Sequence, residues 1–179
     1  MTIPKQPQPV KLLTSIVTAD SGISETVCSK MTMRFGPVDF TSDALAFDFT
    51  DYYENEMGRG MFRHILSFQE LIAPDLLPSI KNYTNELEGS VLRADGTRTV
   101  NIDPGYIALG HMILATCKGF AHRPYLRDGI YADLTLIFKD RTFNPLEWTF
   151  PDYGSEQYIK IINQIRKIYY EQLQDLQII

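Results

Sequence analysis

The stretch at residues 10–19, VKLLTSIVTA, decides how the chain is read. It is short and rich in β-branched residues, and it predicts a buried strand. Before it, the Pro- and Gln-rich residues 1–9 (MTIPKQPQP) are expected to be a disordered lead-in, leaving 10–179 as a single α+β domain. After it, Ser21 or Ser24 offers a helix cap. Ile23, Val27, Cys28, Met31 and Phe35 follow at helical spacing, and Gly36-Pro37 closes the element.

The pattern then continues outward. Residues 44–50 (ALAFDFT) alternate as a strand, and 61–72 predict another with Phe62, His64, Leu66 and Phe68 on one side. Pro74-Asp75 opens a second helix whose inner stripe is Leu77, Ile80, Thr84, Leu87 and Val91, and residues 98–103 form the next strand. Strand, helix, strand, strand, helix, strand is the βαββαβ order of a ferredoxin-like core. A short helix at 107–111, a hairpin of strands at 112–117 and 130–138, and a final amphipathic helix capped by Ser155 extend it.

Composition narrows the classes of function. An apolar fraction of 44% and a charged fraction of 22% over 179 residues suit one globular domain with a real core. The formal charge of −5 argues against nonspecific nucleic-acid or anionic-membrane binding, which need a dominant basic surface. No run reaches the length of a membrane span, the amino terminus lacks a signal-peptide core, and the two cysteines, Cys28 and Cys117, make neither a disulfide framework nor a zinc site. A cytoplasmic protein is the expectation.

Candidate chemistry gathers in polar clusters. Asp48, Asp51 and Glu54 offer oxygen ligands for a divalent cation such as Mg²⁺, and equally suit a solvated hairpin connection. Tyr52 beside them either covers the sheet edge or stacks on a ligand. Residues 101–106 (NIDPGY) contain a Pro-Gly turn signal, and Asp103 there could orient a base, bind a metal or cap a helix. Lys118, His122 and Arg123 bring a point charge, a group that exchanges protons near neutral pH and a planar fork for phosphate or carboxylate. His64, within an apolar strand, is expected to be a satisfied core histidine, and His111 sits in a short helical segment with no evident partner. Lys81 and Glu88 fit a surface pairing on the outer face of the second helix, a face that could instead line a cleft. Residues 148–153 (WTFPDY) suit a packed corner, from which Asp152 could point into a site. The chain has no G-x-x-x-x-G-K-[ST] phosphate loop, G-x-G-x-x-G fingerprint, G-x-S-x-G elbow, H-E-x-x-H or C-x-x-C.

Six ordered phrases, FTDYYENEMG (49–58), IKNYTNELE (80–88), VNIDPGYIAL (100–109), KGFAHRPYL (118–126), GIYADLTL (129–136) and WTFPDY (148–153), resemble an uncharacterised bacterial family, domain of unknown function 4416. The resemblance spans the chain from about residue 11 to the last helix and brings no assigned catalytic residues. Some members carry a GTP-binding label; this chain also lacks the N-K-x-D guanine-reading motif.

The residues lead to an expectation of an enzyme, or degenerate enzyme, that binds a small anionic ligand such as a nucleotide or phosphorylated metabolite, with a divalent cation as a further partner. Lys118, Arg123 and Arg98 would neutralise the anion. His122 would act as acid and base, with Asp103 orienting it or binding a cation. Tyr52, Tyr106 and Tyr125 would pack on the organic part. The competing expectation is a non-catalytic binding or homo-oligomeric assembly module, such as a homodimer.

Overall fold

The computed structural model describes residues 2–47 and 54–179, apart from the side chains of Glu54 and Asn55. In chain order the elements are β1 (Val10–Thr18), α1 (Ser21–Phe35), β2 (Val38–Thr41), β3 (Leu45–Ala46), the single turn α2 (Glu54–Met57), β4 (Phe62–Ile72), α3 (Leu77–Gly89), β5 (Val100–Ile107), β6 (His111–Thr116), β7 (Tyr125–Arg127), β8 (Ile130–Lys139), β9 (Thr142–Pro145) and α4 (Glu156–Asp175). The strands form one antiparallel sheet in the order β2-β4-β1-β5-β6-β8-β7, with β3 paired to β4 and β9 to β8. The protein is therefore of mixed α+β class. No helix among the described residues is long and apolar enough to cross a membrane.

β1 lies inside this sheet and is buried along its whole length, its polar residues Lys11, Thr14, Ser15 and Thr18 included. Its even residues Leu12 and Ile16 pack with Val27 and Met31 of α1, Leu66 and Phe68 of β4, and Ile80 and Leu87 of α3. On the other face Leu13 joins Ile65, Ile107, Met112 and Leu136 beneath Tyr158, Ile162, Ile165, Tyr169 and Leu173 of α4. Two helices cover one face and the last helix covers the other. A polar tie holds α4 in place: Lys11, wholly buried, donates to Asp39 of β2 and to Gln172 of α4 (2.8 Å), and Ser67 donates to Asp39 (2.6 Å).

Several sequence expectations need correction. The cap of α1 is Asp20, whose Oδ1 accepts from the Ile23 amide at 3.1 Å, while Ser21 opens the helix and Ser24 lies within it. The strand expected at 44–50 is represented by β3 alone within the described residues, and β2 precedes it at 38–41. Residues 107–111 form no helix. They close a tight hairpin in which the Ala108 amide donates to the His111 carbonyl (2.9 Å), and His111 already belongs to β6.

The correction with most consequence concerns Pro104-Gly105, which lies inside β5 and makes no turn. A Cβ on Gly105 would stand 2.3 Å from the Ile113 carbonyl oxygen, so glycine is required by the close approach of β6. Gly105→Ala should force the two strands apart and lower stability by about 1–3 kcal/mol, read as a shift of the urea unfolding midpoint. An unchanged midpoint would mean that the strands are not in contact there.

Candidate functional site

The site begins where β6 leaves β5. The two strands pair only over Gly105↔Leu114, Tyr106↔Ile113 and Ile107↔Met112. Backbone polar groups alternate sides along a strand, so those of Ile102 and Pro104 point the same way. The Ile102 amide donates to Glu88 Oε1 at 2.7 Å and its carbonyl accepts from Lys81 Nζ at 2.7 Å, both from α3. These groups therefore face away from β1, toward the side β6 would occupy. Pro104, facing the same way, has no N–H to give a ladder. The sheet divides at this residue, and α3 satisfies the exposed backbone edge with two charged side chains.

The gap is a cleft of about 540 Å³. α3 lines it with Lys81, Asn85 and Glu88, β5 with Asn101 and Asp103, and β6 with Leu114 to Thr116, followed by Cys117 and Lys118. Asp133 and Thr135 approach from β8, and Arg123 from the loop between β6 and β7. Arg63 of β4, Phe47, Arg98 and residues 149–153 complete the wall. The last segment is anchored by Trp148 Nε1 donating to the Leu134 carbonyl (2.8 Å) and Thr149 Oγ1 donating to the Thr135 carbonyl (2.6 Å).

The charges come in pairs. Lys81 lies 3.5 Å from Asp103, Arg123 2.8 Å from Asp133, and Arg63 2.6 Å from Asp152, while Arg98 meets Glu56 at 2.7 Å. Asp103 Oδ2 also accepts from Asn101 Nδ2 (2.7 Å) and from the Tyr153 hydroxyl (3.2 Å). Burial, reinforced by the Asp103 charge, pushes the Tyr153 phenol well above its ordinary range, so it remains a donor. Burial also raises the Glu88 carboxyl, against the pull of Lys81. Among the lining residues are five cations (Arg63, Lys81, Arg98, Lys118, Arg123) and four carboxylates (Glu88, Asp103, Asp133, Asp152), and Glu56, the partner of Arg98, brings the acids to five.

Of the candidates named from the sequence, Asp103, Lys118, Arg123 and Arg98 share this lining. His122 does not line the cleft. Its ring stacks on Trp148 (4.9 Å, 13°), and its nearest carboxylate is Asp133 at 3.9 Å rather than Asp103. Arg123 holds that same Asp133 oxygen at 2.8 Å. Tyr106 is three residues from Asp103, on the other side of the pleat, where it packs with Leu77, Ala115 and Ile130. Tyr125 is exposed on β7, edge-on to Tyr131. Asp48, Asp51 and Tyr52 lie outside the described residues, as does the side chain of Glu54. No group of three or more His, Cys, Asp or Glu side chains placed to hold a metal ion occurs among the described residues.

Sequence reasoning missed Arg63, Asn101 and Asp133. The signal available for Asp133 was a carboxylate amid the mostly apolar run of β8; Arg63 had none. Lys81 is buried and reaches β5, so the helix face taken for a surface pairing lines the cleft instead.

Fold and cleft together define an α+β protein with a polar cleft set into a divided antiparallel sheet. The chain belongs to the family described as Domain of unknown function (DUF4416), whose model matches residues 8–169. No curated protein and no solved structure matches it. The family description assigns no activity, so the functional reading rests on the chemistry of the cleft.

Proposed function

We propose that the cleft binds a small organic anion of the nucleotide or phosphorylated-metabolite class, in a protein that is an enzyme or a degenerate enzyme. The observation that carries this is the meeting of Lys118, Arg123 and Arg98 with Asp103 in one cavity of a size that suits such a ligand. The paired carboxylates and Asn101 fit hydroxyl or amine groups on the ligand's body. Asp103, held by Asn101 and Tyr153, is the acceptor facing the ligand. The proposal includes the divalent cation expected on Asp48, Asp51 and Glu54, whose carboxylates lie outside the described residues. The strand order β2-β4-β1-β5, with α1 and α3 on one face, supports reading the first half as a ferredoxin-like core.

Thermal unfolding in the presence of nucleotides and phosphosugars, with and without Mg²⁺, tests the reading. A true ligand at a hundred times its Kd stabilises the fold by about 2.7 kcal/mol. Lys118→Ala, at an exposed position, should weaken that ligand about tenfold without unfolding the protein, as expected for loss of one charge-assisted contact. Cys117 gives a second readout. It is exposed in the lining, whereas Cys28 is half-buried and burial raises its thiol pKa, so a bound ligand should slow the Cys117 reaction with a disulfide reagent selectively. Absence of any stabilising anion across the panel would remove the proposal.

A further inference from the structure

We propose that the mouth of the cleft carries a stacking surface for a planar heteroaromatic ring, centred on Phe150, which makes the ligand a nucleotide rather than a phosphorylated sugar. This rests on the reading of the cleft as an anion site and specifies it. Phe150 belongs to the cleft wall, yet 57% of it is exposed. Its backbone is fixed on both sides. The preceding Thr149 is hydrogen-bonded to Thr135, Pro151 follows, and the Phe150 carbonyl accepts from the Gly154 amide at 3.1 Å. A large apolar ring is thus presented to solvent by a rigid turn, in a wall whose other members are mostly polar.

A second group of rings lies outside the cleft wall, and one of them is close to Phe150 in the chain. Phe120, 68% exposed, tilts against His122 at 5.2 Å, and His122 stacks on Trp148, 38% exposed and two residues before Phe150. Exposed rings beside a cleft that also holds Lys118 and Arg123 offer a ligand the two things a nucleotide needs, a face to stack on and charges for its phosphate. Lys118 and Arg123 belong to the same loop as Phe120 and His122, so the anion contacts and the ring contacts are one chain turn apart. A sugar phosphate would use the charges and leave Phe150 uncovered.

Calorimetric titration with a nucleoside 5′-monophosphate and with ribose 5-phosphate tests the inference, using the wild type, Phe150→Ala and Phe150→Trp. Stacking of one base on an aromatic side chain predicts that the nucleotide binds the wild type about tenfold more tightly than ribose 5-phosphate. Phe150→Ala should erase that advantage while leaving ribose 5-phosphate affinity unchanged, and Phe150→Trp should restore it. In the wild type, the fluorescence of Trp148, the sole tryptophan, should respond to the nucleotide and not to ribose 5-phosphate. Equal affinity of the wild type for both compounds would overturn the stacking surface and leave the anion site standing. Binding of neither would overturn the stacking surface, and would overturn the anion site as well when no anion in the thermal-unfolding panel stabilises the fold.

Discussion

Asp152→Ala is expected to lower the unfolding free energy by about 3–5 kcal/mol, the cost of leaving a buried partner charge unpaired. The stranded charge is Arg63, only 4% exposed, whose Nη2 lies 2.6 Å from Asp152 Oδ2 and whose Nε has no hydrogen-bond partner. Guanidinium does not shed its proton in a protein, so Arg63 cannot escape by becoming neutral. The rings of Tyr153 (4.6 Å to the centroid) and Phe47 (4.8 Å) offset part of the loss through cation–π attraction. Replacing both members by apolar residues, Arg63→Met with Asp152→Leu, should recover most of the stability, because the charge that needed a partner is gone. Urea titration at pH 7 reads both variants. A loss below about 1 kcal/mol for Asp152→Ala would place the pair in water, where exposed ion pairs contribute little.

The same pair shows why the site was only half legible in the sequence. Periodicity reports which residues face a core, and it located β1, α1, α3 and α4 closely, because each of these segments shows one clear apolar pattern. It says little about a charged residue inside a strand. Arg63 lies between Phe62 and His64 in β4 and reads as an outward-facing position, yet it points beneath Tyr153 and Tyr158. Nothing local distinguishes it from a solvated arginine, because its partner is 89 residues away.

Pro104-Gly105 misled for a related reason. Proline and glycine together are the common signal of a turn, and here each serves a strand: glycine admits the close backbone of β6, and proline withholds the ladder N–H. The dipeptide does mark a break, but the break is between two strands rather than along one. Asp103, Lys118, Arg123 and Arg98, which share the cleft lining, could be named from residue chemistry alone, although Asp103 lies inside β5 rather than at its end. The link drawn from Asp103 to His122 needed distances, and those give His122 to Asp133 and Trp148.

Alkaline solution should destabilise the protein more steeply than exposed tyrosines would allow. Tyr153 and Tyr158 are 6% and 1% exposed, and burial pushes both phenols well above the ordinary value of 10. A folded-state pKa above the unfolded one means that the native state holds its proton longer. The stabilisation is complete below pH 10 and is lost as pH rises toward the folded values. Each such group contributes a slope of about 1.4 kcal/mol per pH unit in that window, so the pair together removes about 2.7 kcal/mol per unit. Lys11 acts in the opposite sense. Burial lowers its pKa, so the unfolded chain binds the extra proton and stability rises with pH until about 10.5, the value of an exposed lysine. Cys28 acts in the same sense as the tyrosines, because burial raises its thiol above the ordinary value of 9. Above pH 9 it opposes Lys11, so the expected profile is nearly flat to pH 10 and then falls. Tyr158→Phe isolates one contribution: its hydroxyl has no hydrogen-bond partner, so neutral-pH stability should hold or improve, while the alkaline slope should shrink by about 1.4 kcal/mol per pH unit. Urea midpoints between pH 9 and 11.5 measure both slopes. Parallel slopes for wild type and Tyr158→Phe would mean that the phenol ionises in the native state, which requires water to reach the first turn of α4 beneath Arg63.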